Sequence, residues 1–303
     1  MFISVFTLGW SVDGKKLASG SKDEGIRIWN PERTDYRITN SIILDSYSRV
    51  FSELRWDPTH PERLASAGED GTLRFWDIRQ GSKPTRTIEN DSPKTSFLNL
   101  CWSPDASVVA IGDSNDRLQF YEAASGKKLG EHFEYSKSPM ANELAFAYSG
   151  EYLFLPTGAG EVVTYGFEFQ GDSVSLKEYH RCTPHAAVLN CIDTDPRGRY
   201  IAVGGADSIV SLIDVEEFYC VNTFAHLDSD VRTISFSYDG DFIAFAGKDT
   251  FIDISSVASG AQVRRIDNLT FPVNTIAWHP SKYFLAYAGD EKAGNVRVAN
   301  LAV

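Results

Sequence analysis

The stretch 64-LASAGEDGTLRFWDIRQ-80 sets two carboxylates, Glu69 and Asp70, against Gly71 and ends its second apolar run in Trp76-Asp77. Paired acids in a turn fit a catalytic site and a structural bend equally well. An active site is normally made once and a structural device many times, so recurrence decides between them. The same order of apolar run, small residues, acidic bend and alternating run returns in 17-LASGSKDEGIRIWN-30, 201-IAVGGADSIVSLIDV-215 and 243-IAFAGKDTFIDISSV-257, the last two without the tryptophan. An aromatic slot and a tight turn precede each copy. That slot holds Trp10, Trp56, Trp102, Phe146, Thr194, Phe236 and Trp278, spaced by 46, 46, 44, 48, 42 and 42 residues. Thr194 keeps its register through the Asp195-Pro196 that follows it and 200-YIAVGGAD-207 beyond.

Seven units with a period in the mid-forties resemble the four-stranded blades of WD40 β-propellers. The expected fold is all-β: one seven-bladed propeller over residues 1–303, with blades near 4–48, 49–95, 96–137, 138–186, 187–228, 229–270 and 271–303. Blade 2 shows why. In 51-FSELRW-56, alternation puts Phe51, Glu53 and Arg55 on one side and Leu54 with Trp56 on the other. Pro58 and Pro61 cannot donate to a ladder and so fall in the turn. Small residues in "LASAG" permit close packing of neighbouring blades. "TLRFWD" opposes Leu73 and Phe75 to Thr72, Arg74 and Trp76, and a fourth strand is expected in "PTRTIE".

Read this way, the acidic turn is architecture. In propellers a turn Asp, a strand Ser or Thr and a third-strand Trp commonly form one hydrogen-bonded network. Ser66, Asp70 and Trp76 match it, as do Ser19, Asp23 and Trp29, and Asp207 and Asp249 occupy the same bend in blades 5 and 6. His185 and His226 precede the inner strands of those blades, where such proteins often add a histidine to the network. No nucleophile elbow, phosphate loop or dinucleotide fingerprint is present, so no catalytic residue, cofactor or metal is expected.

The net charge of −12 and the absence of any basic run longer than a pair disfavour tight direct binding of nucleic acid. No run of about 18 apolar residues proposes a membrane span. Cys101, Cys182, Cys191 and Cys220 fall at no metal-ligand spacing and read as buried free thiols of a reducing compartment. The first inner strand opens at Val5, and Val303 follows closely on the third strand of blade 7, "NVRVANL". Blade 7 is therefore expected to lack its outer strand, left to residues preceding this chain or to a partner's strand.

The second half is more individual. "GGADSIVSLIDVEE", "LDSDVRTISFS", "DTFIDI" and "AWHP" resemble the WD-repeat subunit of the THO complex, the core of the assembly that couples transcription to mRNA packaging and nuclear export. That resemblance implies a nuclear, non-catalytic scaffold docked to other THO subunits, above all the large helical one, and to the mRNA export machinery. Contact residues are expected near the entries to inner strands, at Tyr47, Arg49, Phe51, Lys94, Phe97, Asp228, Asp230 and Arg232. Blade 4 departs from the pattern, with Gly160 in place of the turn Asp and a long, partly apolar loop, 165-YGFEFQGDSVSLKEYH-180. The alternatives are a propeller that reads a peptide at its face, as a chromatin or ubiquitin-ligase adaptor, and an enzyme with a metal or carboxylate site over the axis.

Overall fold

In the computed structural model, residues 3–31, 42–44, 51–92, 94–135, 142–291 and 294–301 are described. Each repeat unit forms a small antiparallel sheet, and the sheets stand around one axis. The inner strands are Ile3–Trp10, Phe51–Trp56, Phe97–Trp102, Ala145–Phe146, Leu189–Thr194, Val231–Phe236 and Val273–Trp278. Among the described residues, blades 2 to 6 are separate four-stranded sheets. Blades 1 and 7 share one seven-stranded sheet, because the start of Ile3–Trp10 pairs with Phe284–Glu291 through Ile3 opposite Glu291 and Ser4 opposite Asp290. The ring is closed by that pairing.

Blade 7 has three strands among the described residues, and its outermost, Arg297–Asn300, pairs with Phe284–Glu291. In blade 4 the inner strand is reduced to two residues. Its long segment is no loop: Val162–Gln170 and Ser173–Cys182 form a continuous hairpin, with Phe167 opposite Leu176 and Phe169 opposite Val174. Alternating Tyr, Phe, Val and Leu favour a pleated pair, and Gly171 at φ +59 supplies the tight turn.

Among the described residues, the buried apolar side chains form seven clusters, and each sits between two neighbouring blades. Strand alternation sorts side chains between seams. Leu73 and Phe75 join Phe97, Leu100 and Tyr121 in the seam of blades 2 and 3. Leu54, Trp56 and Trp76 join Ile26, Ile28 and Leu44 in the seam of blades 1 and 2. Second strands lie between two seams, which is why Leu17–Ser21 and Val108–Asp113 are buried throughout and, apart from Leu17 and Asp113, consist of small and β-branched residues. Cys101 and Cys191 are buried, whereas Cys182 is half-buried and Cys220 exposed, a departure from the expected four buried thiols.

Candidate interaction site

The acidic bends are held from inside the chain. Trp29 Nε1 donates to Ser19 Oγ at 2.9 Å and Trp76 Nε1 to Ser66 Oγ at 2.7 Å. The aspartates of these blades bond elsewhere. Asp70 Oδ1 accepts from the Thr72 amide at 3.0 Å and hydroxyl at 2.7 Å, and its Oδ2 from Arg74 at 3.2 Å. Asp23 takes Ser21, Arg27 and the Gly25 amide in the same way. Asp207 lies 2.9 Å from His185 Nδ1, and the His185 side chain is fully buried. Asp249 accepts from the Asp228 and Ser229 amides at 3.2 and 3.0 Å. His226 meets instead Asp253, in the "FIDI" stretch, at 3.2 Å. Asp113 of blade 3, absent from the expected set, binds Arg117 at 2.8 Å and Gln119 at 3.1 Å. These carboxylates are occupied in turn-making.

A second set of bonds runs from blade to blade around the axis. Trp10, Trp56 and Trp102 each donate Nε1 to the carbonyl just before the matching aromatic of the preceding blade: Ala277 at 3.1 Å, Gly9 at 2.8 Å and Arg55 at 3.2 Å. Three residues before the aromatic, an acceptor side chain takes an amide of the next blade. Glu53 holds Leu100 at 2.8 Å, Glu143 Ile192 at 2.8 Å, Thr233 Ile276 at 3.1 Å and Thr275 Leu8 at 3.2 Å. Asp193 holds the Phe236 amide at 2.8 Å. At one mouth of the channel, Asn142, Asn190 and Asn274 donate to the carbonyls of Leu189, Val231 and Val5.

One guanidinium serves three carboxylates there. Arg55 donates to Glu53 at 2.7 Å and pairs with Glu143 across the channel, and Asp193 adds its field. Burial pushes the Asp193 carboxyl up to about 6, although the Phe236 amide and Arg55 pull it back. Glu53 and Glu143 are raised for the same reason, and burial raises the Cys101 thiol. The channel encloses about 380 Å³. A larger cleft of about 930 Å³ opens between blades 3 and 4 on the face that carries the first-to-second-strand turns.

The residues expected to meet partners scatter. Lys94 and Asp228 are exposed, and Asp230 pairs with Lys248. Arg232 lies at the channel mouth on Asn274 and Asp290. Phe97 is fully buried in the seam of blades 2 and 3, because its side chain faces blade 2 instead of solvent. Phe51 opens its strand opposite Gly68. Tyr47 and Arg49 lie outside the described residues. The axial carboxylates and the cleft escaped the sequence reading. Glu53 and Glu143 occupy one repeat position, three before the aromatic, and that shared position is the signal that could have found them.

The family model for the WD40 repeat (WD domain, G-beta repeat) matches residues 3–30, 44–77, 176–214 and 218–254. The chain is 38% identical over 238 residues to THO complex subunit 3 of Arabidopsis thaliana, covering 78% of this chain and 71% of that protein. It is 27% identical over 250 residues to WD repeat-containing protein AAC3 of Dictyostelium discoideum, covering 77% of this chain and 51% of that relative's length. Among solved structures, the Cps50 (Swd1) β-propeller domain of Myceliophteria thermophila superposes with a TM-score of 0.80 over 97% of this chain and 96% of that one, at 17% identity. That likeness speaks to the fold alone. The repeat, the ring of blades and the extended match together show that the chain belongs to the WD40-repeat proteins and, within them, to the family of THO complex subunit 3.

Proposed function

We propose that this protein is a nuclear, non-catalytic subunit of a THO-type complex that offers its propeller as a docking frame to other subunits, the large helical one among them, and through them to the mRNA export machinery. The observation that carries this reading is the 38% identity to THO complex subunit 3 across 78% of the chain. The chemistry agrees. A net charge of −12 suits contact with basic protein surfaces better than with phosphate. Lys94, Asp228, Asp230 and Arg232 are the contact residues retained in this reading.

The test is depletion of the protein from cells of its own organism, scored by hybridisation to polyadenylated RNA. Nuclear accumulation of that RNA, reversed by re-expressing the chain, is expected. An unchanged nuclear-to-cytoplasmic ratio contradicts the reading.

A further inference from the structure

The cleft between blades 3 and 4 goes with two departures of blade 4, its two-residue inner strand and its long hairpin. At the seams of blades 7–1, 1–2 and 2–3 a tryptophan closes the inner strand and bonds the neighbouring blade. At the 3–4 seam that position is Phe146, which has no ring N–H to donate. Thr194 and Phe236 lack it at the next two seams as well; Phe146 is buried and packs edge-on against Phe167 at 4.9 Å. Its strand pairs for only two residues, Ala145 and Phe146, so less inner wall stands behind the seam. The long hairpin then leans over blade 3: Phe167 lies 5.7 Å from Phe120, and Lys127 meets Asp172 at 2.8 Å. Together these leave an open cleft of about 930 Å³, which runs from the hairpin to the axis and there reaches Trp56 and Pro58 of blade 2 and Ile192 to Thr194 of blade 5. That is the size of cavities that enclose several side chains of a ligand.

Its lining divides by chemistry. The outer part is apolar and aromatic, with Trp102, Pro104, Phe146, Phe167 and Phe169. Tyr148 stands on the rim, well exposed. Charge in the slot is one-sided. Asp105 and Glu151 are exposed at the mouth and Asp193 lies on the floor. The one cation of the lining, Arg55, is already engaged by Glu53 and Glu143 behind it. An acidic or purely apolar ligand would meet uncompensated negative charge there. A cation beside an apolar anchor would complement both halves.

We propose that this slot receives a linear segment of a partner protein, which inserts a leucine or aromatic side chain against Phe146, Phe167 and Phe169 and sets a neighbouring lysine or arginine toward Asp105, Glu151 and Asp193. The inference rests on the docking role given above and assigns it a place on the propeller.

The test is selection of random dodecapeptides on phage against the full chain. Retested as synthetic peptides, the enriched sequences should pair a leucine or aromatic with a basic residue a few positions away. Their affinity should fall about tenfold or more on Phe169→Ala and on Glu151→Lys, as expected for loss of an anchor and of a charge partner. Val263→Ala, on the exposed outer strand of blade 6, should leave it unchanged. The slot assignment is overturned by no enrichment, by acidic sequences, or by binding indifferent to both slot variants. Pull-down of THO subunits by the wild-type chain from nuclear extract is scored in parallel. Subunits recovered without slot-dependent peptides refute the slot alone; slot-dependent peptides without subunits support the slot and refute the THO reading.

Discussion

Replacing Asp193 by asparagine should change stability in a pH-dependent way, the variant gaining on wild type as pH rises. Asp193 is held among Glu53, Glu143 and a single guanidinium, and burial lifts its carboxyl to about 6, against an ordinary value near 3.9. Between those values the folded protein holds a proton that the unfolded chain has released. The unfolded state therefore binds fewer protons, and stability from this group is present below about pH 4 and lost as pH rises through about 6. A shift of roughly two units corresponds to at most about 3 kcal/mol. Asp193 is only half-buried, and solvent screening reduces this to about 1–2 kcal/mol. Asp193→Asn keeps an oxygen for the Phe236 amide, 2.8 Å away, and removes the charge. Urea unfolding at pH 4.5 and pH 8, followed by tryptophan fluorescence, should show the variant gaining about 1–2 kcal/mol relative to wild type between the two pH values. An equal difference at both would refute the claim that burial lifts the Asp193 carboxyl. A difference of opposite sign would mean that Arg55 stabilises the Asp193 carboxylate outright.

Other substitutions separate the seams from the surface. Trp56→Phe removes the bond to the Gly9 carbonyl at 2.8 Å and part of a buried ring, and should cost about 1–3 kcal/mol in chemical denaturation; an unchanged midpoint would contradict a load on that tie. Gly247→Ala would drive a Cβ to 1.8 Å from the Asp230 carbonyl oxygen, where only backbone can yield. A loss of about 3 kcal/mol is expected, and a neutral result would show that blade 6 is looser than described. Asp207→Ala strips the buried His185 of its carboxylate partner and should cost about 1–3 kcal/mol by the same measurement. Asp172→Asn, on the exposed Lys127–Asp172 pair, should leave the melting temperature unchanged, since such pairs contribute little.

The repeat was legible because each blade solves the same packing problem with the same residues. The aromatic slot, the small second strand and the turn glycine or aspartate recur at similar spacing, and blade 2 follows its alternation from Glu53 onward, after a register shift between Phe51 and Glu53. Where a blade abandons the pattern, legibility fell. Residues 165–180 read as a loop because Gly166 and Gly171 interrupt the run, yet the strand alternation of Phe167 and Phe169 continues across the sheet. Phe97 was expected at a partner surface from its place at a strand entry. Strict alternation would set Phe97 opposite Leu100, three residues on, but a register shift between Gly112 and Asp113 on the paired strand brings both side chains into the seam of blades 2 and 3. The axial group of Glu53, Arg55, Glu143 and Asp193 joins residues up to 88 positions apart in one contact, and only closure of the ring brings them together. The cleft was illegible for a related reason. It is a space left by what blade 4 lacks, and a sequence displays residues, not the room between them.

The central claim is that this propeller works as one member of a THO-type assembly. Affinity purification of the tagged full chain from nuclear extract, with every recovered protein quantified by mass spectrometry, tests that claim directly. Other THO subunits should be recovered in amounts close to equimolar with the tagged chain. Their absence, with histones or ubiquitin-ligase components in their place, would contradict it.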